Sequence, residues 1–269
     1  MKKLKKPLIV LFIIGNLYAI LSGGLFFFQD NLLFHPQPLP EDYTFIFDTP
    51  FKEVWLSGSD GASLHGIHFP VENAKGALLY YHGNAGSLAR WGEIVQYFVK
   101  QGYAVVVMDY RQFGKSSGSL SEQLLYEDSL AWYDFVKKTY PNQAITVYGR
   151  SLGTTFATYV ASQNRVKQLI LETPFYSIQN EASTRFPFLP VKRLLKYRFP
   201  TFEFINKVSA PILVLHGTED TVVDYTHAKR LYEGIESNEK RLVTILGGGH
   251  NNLIEFDTYT NTIEATLSK

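Results

Sequence analysis

The sequence predicts an α/β fold in which a mostly parallel sheet of eight strands carries helices on both faces. From residue 77 onwards, short apolar runs alternate with stretches whose apolar residues recur at helical spacing. That alternation favours parallel strands joined by helices. A hairpin comes first, because Asp60-Gly61 separates two strand-like runs. With 269 residues, 45% of them hydrophobic, the chain is long enough for one large domain.

The individual elements follow from these patterns and from the turn residues between them. The predicted strands cover residues 52–57, 64–70, 77–81, 103–108, 144–148, 168–171, 212–215 and 241–246. The predicted helices cover residues 88–100, 120–140, 152–163, 226–235 and 252–267. Strands that are apolar throughout, such as 77–81, are expected in the centre of a sheet that is covered on both faces.

Charge and composition argue against a nucleic acid partner and exclude every site that needs cysteine. The net charge of +1 gives no electrostatic reason to expect a nucleic acid partner. The chain has no cysteine, which excludes disulfides, thiol nucleophiles and cysteine-based metal sites.

Residues 1–30 are predicted to form a membrane anchor. Lys2, Lys3, Lys5 and Lys6 precede an apolar run from Leu8 to Phe28, and 21 residues in a helix just span a hydrocarbon core of about 30 Å. The lysines favour a single-pass orientation with the N-terminus in the cytoplasm and the folded domain on the opposite, periplasmic or extracytoplasmic, side. A cleaved signal peptide and a buried N-terminal helix are the alternatives.

Two further segments are predicted around the main domain, which spans residues 51–269. The Pro-rich stretch 31–50 indicates an extended connector on the membrane surface or on the domain. Residues 173–210, the cap segment, interrupt the alternation with aromatic and basic residues. Because long loops in compact domains are usually functional, we expect this insertion to cover a pocket; a surface excursion is the alternative.

A nucleophile is indicated by Gly149-Arg150-Ser151-Leu152-Gly153, which lies between a predicted strand and a predicted helix. A strand that turns directly into a helix places the central Ser151 on a tight bend with its hydroxyl at the rim of the sheet. The backbone N–H of Leu152 then points to where an oxyanion would form. The second oxyanion donor is expected from the loop after strand 77–81, most plausibly the N–H of Asn84, with Ala85 as the alternative.

A serine hydroxyl needs a histidine base and an orienting carboxylate. Asp220 and His250 each follow their own predicted strand, and the carboxyl ends of parallel strands share one edge of the sheet. Glu219 and Asp224 are alternative acids, and a plain surface role is the alternative for His250. His82 ends a strand and is expected to be structural.

No other motif indicates a cofactor. Gly114-Lys115-Ser116 lacks the earlier glycine of a phosphate-binding loop. His65 and His68, three apart on a strand, face opposite sides and do not share a metal. We therefore expect neither a metal nor a nucleotide cofactor.

These residues together resemble the α/β-hydrolase superfamily, and more narrowly its Bem46-like group of membrane-anchored serine hydrolases. The resemblance rests on the stretches Phe28 to Pro36, His82 to Gly86, Asp109 to Arg111, Gly114 to Ser116, Gly149 to Gly153, His216-Gly217 with Asp220, and His250. It implies Ser151 as nucleophile, Asp220 as acid, His250 as base, and backbone donors at Asn84 and Leu152. Gln112 departs from the pattern, which usually has glycine there.

The sequence therefore predicts a membrane-anchored serine hydrolase that cleaves carboxylic esters or thioesters of a small-molecule or acylated substrate through an acyl-serine intermediate. The alternatives are a serine peptidase and a non-catalytic binding scaffold tethered to the bilayer.

Overall fold

The computed structural model describes residues 5–141 and 144–268. Its strands are β1 (His35–Pro36), β2 (Lys52–Ser57), β3 (Ser63–Phe69), β4 (Ala77–Tyr81), β5 (Ala85–Gly86), β6 (Ala104–Met108), β7 (Ile145–Arg150), β8 (Gln168–Glu172), β9 (Ile212–Gly217) and β10 (Lys240–Ile245). Its helices are α1 (Lys5–Phe27), α2 (Gln29–Leu33), α3 (Leu88–Lys100), α4 (Glu122–Thr139), α5 (Gly153–Gln163), α6 (Ile178–Arg185), α7 (Val191–Leu194), α8 (Thr201–Ile205), α9 (Tyr225–Glu233) and α10 (Asp257–Leu267).

Eight strands form one sheet in the order β10-β9-β8-β7-β4-β6-β3-β2. The β2–β3 and β3–β6 pairs are antiparallel, and every other neighbouring pair in this sheet is parallel. The predicted fold class is therefore confirmed. The parallel strands all end at the same edge, which brings the loops after β4, β7, β9 and β10 together.

The core has two halves, one on each face of the sheet. Along β4, Leu79 and Tyr81 face one half, and Leu78 and Tyr80 face the other, as the two-residue repeat of a strand requires. Large side chains from α4, α5 and α9 cover the first face, and side chains from α3 and α10 cover the second. Both faces of the central strands are thus buried, whereas the edge strand β2 is largely exposed.

Helix α1 contains one apolar stretch, Pro7–Phe27, that is long enough to cross a membrane. No part of that stretch is buried within the described residues, so the alternative of a buried core helix is wrong. The helix is consistent with a single-pass anchor. Lys2 and Lys3, on which the predicted orientation partly depends, lie outside the described residues.

The connector is more closely attached to the domain than an extended linker. Residues 29–33 form α2, so the expectation of an extended chain is wrong for residues 31–33. Strand β1 then pairs in parallel with β5, placing His35 beside Ala85, and Phe34 is buried in the core. Backbone pairing with β5 and burial of Phe34 therefore attach this segment to the loop that follows β4.

Candidate active site

Ser151 lies on a strained bend between β7 and α5. Its φ is +51°, a left-handed conformation that costs about 1–2 kcal/mol for a residue with a side chain. The bend is held because the Ser151 N–H donates to the Glu172 carbonyl at 2.9 Å. Gly153 allows α5 to approach β4, since a Cβ there would lie 1.9 Å from the Tyr81 carbonyl oxygen. Two glycines and a strained serine thus bring strand and helix together as the sequence predicted.

Ser151, His250 and Asp220 form a continuous hydrogen-bonded chain. Ser151 Oγ lies 3.0 Å from His250 Nε2, and His250 Nδ1 lies 2.7 Å from Asp220 Oδ2. The three residues come from the loops after β7, β10 and β9, which end at one edge of the sheet. These contacts place a proton acceptor on the serine and a carboxylate behind that acceptor.

The surroundings of Asp220 keep it ionised. Its Oδ1 accepts the backbone N–H groups of Val222 and Val223 at 2.8 and 2.9 Å, and His216 Nε2 lies 3.2 Å from Oδ2. Burial alone would raise the pKa of Asp220, but the hydrogen bonds from His216 and His250 outweigh burial and hold that pKa well below its usual range. His216 is a residue that the sequence analysis did not assign to the site.

The alternative acids are elsewhere. Asp224 accepts the Thr226 N–H at 2.9 Å and caps α9, and Glu219 is exposed. Neither carboxylate contacts His250 in the described part of the chain.

The proposed oxyanion donors are at the rim beside Ser151. Among the described residues, the backbone N–H groups of Asn84 and Leu152 have no hydrogen-bond acceptor, so both are free to donate to a substrate oxygen. Gly83 brings the loop close, because a Cβ there would lie 3.7 Å from Ser151 Cβ. The Asn84 side chain is turned away and donates to the Leu33 carbonyl at 3.0 Å. The connector therefore contacts this loop through the hydrogen bond between Asn84 and Leu33.

His82 is buried behind the loop rather than open to substrate. Its Nδ1 lies 2.6 Å from the Gly83 carbonyl oxygen, and its Nε2 lies 3.2 Å from Asp109 Oδ1. The Tyr110 hydroxyl donates to the His82 carbonyl at 2.7 Å. These contacts agree with the expected structural role.

Gln112 keeps the conformation that glycine would adopt. It is exposed and has a φ of +69°, which is in the left-handed region that favours glycine. The departure from the family pattern therefore places a side chain on backbone that favours glycine, which adds local strain.

Arg150, directly before the nucleophile, was assigned no role from the sequence. Its Nε lies 3.2 Å from Glu172 Oε1, and both side chains are buried. Its Nη2 donates to the His250 carbonyl and to Asn251 Oδ1, each at 3.2 Å. The Tyr148 hydroxyl donates to the second Glu172 oxygen at 2.5 Å. The ion pair thus joins the ends of β7 and β8, and the hydrogen bonds of Arg150 Nη2 tie the strand of Ser151 to the loop of His250.

A largely apolar cavity of about 280 Å³ opens at Ser151. Its lining comes from the rim residues, from the cap segment and from the end of the apolar helix: Leu25, Leu32, Leu33, Ser151, Leu152, Phe175, Phe186 and Leu189. Gln29 joins two of these parts, because its amide donates to the Leu194 carbonyl at 2.6 Å and accepts the Lys196 N–H at 2.8 Å.

Two family models match adjacent parts of the chain, one described as alpha/beta hydrolase fold over residues 76–202 and one as serine aminopeptidase, S33, over residues 203–257. An uncharacterized protein of Mycobacterium tuberculosis, Rv2307c, is 32% identical over 242 residues, which cover 87% of this chain and 85% of that protein. The chain belongs to the α/β-hydrolase superfamily. This confirms the superfamily that the sequence motifs indicated.

This chain is also similar to other α/β-hydrolases, which match different shares of its length. The lysophosphatidylserine lipase ABHD12 of Danio rerio is 34% identical over 183 residues, and the match covers 60% of this chain and 48% of the lipase. The chain thus matches about half of that protein. An esterase of Pyrococcus furiosus superposes with a TM-score of 0.68 at 19% identity, covering 88% of this chain and 97% of the esterase. At that identity the likeness concerns the fold.

Proposed function

We propose that this protein is a serine hydrolase that cleaves carboxylic esters or thioesters through an acyl-Ser151 intermediate. The observation that carries the proposal is the hydrogen-bonded chain from Ser151 Oγ through His250 to Asp220, with distances of 3.0 and 2.7 Å. A serine activated in this way, beside free backbone N–H groups, is the arrangement used for acyl transfer.

In the first half-reaction, His250 Nε2 accepts the Ser151 proton while Oγ forms a bond to the substrate carbonyl carbon. The N–H groups of Asn84 and Leu152 donate to the oxyanion that forms. Asp220 stabilises the resulting imidazolium through Nδ1–H. His250 then gives its proton to the leaving oxygen or sulfur as that bond breaks, and the acyl group stays on Ser151.

In the second half-reaction, His250 accepts a proton from water, whose oxygen attacks the acyl carbon. The tetrahedral intermediate collapses, the bond to Ser151 Oγ breaks, and Oγ recovers the proton from His250. The products are a carboxylic acid and the free enzyme, with water as the only co-substrate.

The cavity supports an acyl group as the part of the substrate next to Ser151. Its lining is largely apolar and includes Leu32, Leu33 and Phe175. An apolar pocket with few polar groups suits a hydrocarbon chain. The names of the lipase and esterase relatives point in the same direction.

We further propose that α1 anchors the enzyme with its N-terminus in the cytoplasm and the main domain on the opposite side of the membrane. The basic residues before the apolar run support this orientation. In this proposal, residues 173–210 are the cap over the pocket.

A peptidase is the second candidate, because the family model over residues 203–257 is described as a serine aminopeptidase. The same acyl-serine chemistry would then release an amine. A panel of acyl esters, thioesters and aminoacyl amides separates the two: Ser151-dependent turnover of the amides alone would replace esterase by peptidase.

The first test is labelling of the detergent-extracted protein by a fluorophosphonate probe, which reacts with activated serines. We expect labelling of the wild type, and none of Ser151→Ala or His250→Ala. Ser162→Ala on α5 is the matched control and should label normally, because its hydroxyl donates within the helix to the Tyr159 carbonyl. A folded wild type that does not label would refute the hydrolase and favour the scaffold.

A further inference from the structure

The loop between α6 and α7 exposes large apolar side chains. This aromatic loop comprises residues 186–190, with the sequence Phe-Pro-Phe-Leu-Pro. Phe188 is 90% exposed and Phe186 is 44% exposed. A cluster of this kind on a protein surface marks contact with another apolar phase or partner.

The partner is indicated by a contact with the apolar helix. The Tyr18 hydroxyl of α1 donates to the Phe188 carbonyl at 3.2 Å. Tyr18 lies nine residues before Phe27, the end of the candidate span, which is about 13 Å along the helix axis. If α1 crosses a bilayer, a loop at that level lies within the hydrocarbon rather than in water.

The backbone of the aromatic loop suits that environment, where an unpaired N–H costs several kcal/mol. Pro187 and Pro190 have no N–H to satisfy. Phe186, Leu189 and Val191 donate to carbonyls of α6 or of the loop itself at 2.8–3.1 Å, which leaves Phe188 as the one residue of the loop whose N–H has no acceptor among the described residues. The contact with Tyr18 also pairs a hydroxyl and a carbonyl that would otherwise be unsatisfied in hydrocarbon.

Basic side chains follow the loop where the lipid headgroups would be. Lys192, Arg193 and Lys196 are exposed, and neither Lys192 nor Arg193 forms an ion pair with any residue that the structure describes. Long basic side chains next to an apolar insertion reach lipid phosphates while their stems stay apolar.

The active-site cavity is lined by both of these apolar elements. Leu25 of α1, and Phe186 and Leu189 of the aromatic loop, line the same cavity as Ser151. Helix and loop therefore both contribute to its wall.

We propose that the aromatic loop inserts into the bilayer beside α1 as a second membrane contact, so that the entrance to the cavity meets lipid acyl chains directly. The substrate class is then an amphiphile that stays in the membrane while its acyl chain enters between Leu25 and the loop. The identity of the cleaved bond depends on the proposed hydrolase function, whereas the depth of the loop does not.

The absence of cysteine allows a direct measurement of depth. Full-length Phe188→Cys, labelled with a polarity-sensitive fluorophore, is reconstituted in vesicles of phosphatidylcholine and phosphatidylglycerol. Asn238→Cys is the control, because residue 238 is exposed and precedes β10 at the opposite edge of the sheet. We expect blue-shifted emission and quenching by acyl-chain nitroxides at position 188, and quenching by aqueous iodide at position 238. Iodide quenching of equal strength at both positions would overturn the proposal.

Activity gives an independent test with Phe188→Asp, since Phe188 does not line the cavity. Hydrolysis of a bilayer-embedded acyl ester should fall about tenfold or more, the factor that corresponds to losing the burial of one phenylalanine. Hydrolysis of a water-soluble short-chain ester and fluorophosphonate labelling should not change. An equal loss on both esters, or no loss on the embedded one, contradicts this proposal. A wild type without any labelling contradicts the hydrolase function instead, and leaves the depth measurement unaffected.

Discussion

Replacing Arg150 by Met should destabilise the fold and disturb the base together, because one buried side chain serves both. The Arg150–Glu172 pair is buried, with a separation of 3.2 Å. At an effective dielectric constant of about 20, unit charges at that distance attract by about 5 kcal/mol. Removing one partner of a buried pair leaves the other uncompensated and costs about 3–5 kcal/mol.

That cost predicts a melting temperature about 6–20 °C lower, since 1 kcal/mol corresponds to about 2–4 °C for a domain of this size. Arg150→Met also removes the two 3.2 Å hydrogen bonds to His250 and Asn251. A displacement of His250 by about 1 Å can reduce the rate by about 100-fold. We therefore expect kcat to fall more than KM changes in hydrolysis of a soluble acyl ester.

Two further variants test the reasoning. Arg198→Met removes an exposed pair with Glu203 at 2.9 Å and should cost no more than about 1 kcal/mol. Adding Glu172→Gln to Arg150→Met removes the uncompensated charge and should recover part of the stability but not kcat. The reasoning is refuted if Arg150→Met melts within about 2 °C of the wild type and keeps its kcat.

Three other predictions concern single side chains of the site and its loops. Asp220→Asn should lower kcat by about 10⁴-fold without unfolding the protein, because two backbone N–H groups hold the amide oxygen and turn the amide NH₂ towards His250. Gln112→Gly should raise the free energy of unfolding by about 1 kcal/mol by relieving its left-handed backbone. Its control, Gln123→Gly within α4, should lower that free energy by about 1 kcal/mol. Ser151→Gly should likewise be about 1 kcal/mol more stable than Ser151→Ala, although both are inactive.

Each of these predictions has a measurement that decides it. The pKa of Asp220 is depressed in the folded state, so its contribution to stability is complete above about pH 4 and declines as the pH falls further. The stability difference between wild type and Asp220→Asn should therefore shrink below about pH 4; a difference that is constant from pH 7 to pH 3 contradicts the assigned shift. Thermal unfolding of the Gln112 and Ser151 variants measures strain, and Ser151→Gly melting below Ser151→Ala would rule strain out.

The main elements of the fold were predictable because their signals are local. Apolar runs predicted the eight strands to within a few residues, and the spacing of apolar residues predicted α3 and α4. The sharing of one edge by the loops of Ser151, Asp220 and His250 followed from parallel pairing alone, since a crossover connection through a helix starts every strand from the same end of the sheet.

The contacts of the N-terminal segment could not be predicted from local signals. Residues 31–50 were expected to form an extended connector on the membrane surface or on the domain, and the structure places them on the domain, where β1 pairs with β5 and Phe34 is buried. Such pairing depends on where the loop after β4 lies, and composition carries no information about that position. The catalytic roles assigned to the site residues remain proposals that the labelling experiment tests.

The sequence by itself determined the alternation of strands and helices, the glycines around Ser151 and the order of the site residues. Only the tertiary structure decided that Arg150 holds the loop of His250, that His216 supports Asp220, and that Tyr18 meets the aromatic loop. For Arg150 and Tyr18 the physical reason is distance along the chain, whereas His216 is only four residues from Asp220 and their contact depends on the conformation of the loop after β9. Periodicity and turn chemistry report on neighbours within a few residues, whereas the contacts of Arg150 and Tyr18 join residues 100 and 170 positions apart and arise only from packing.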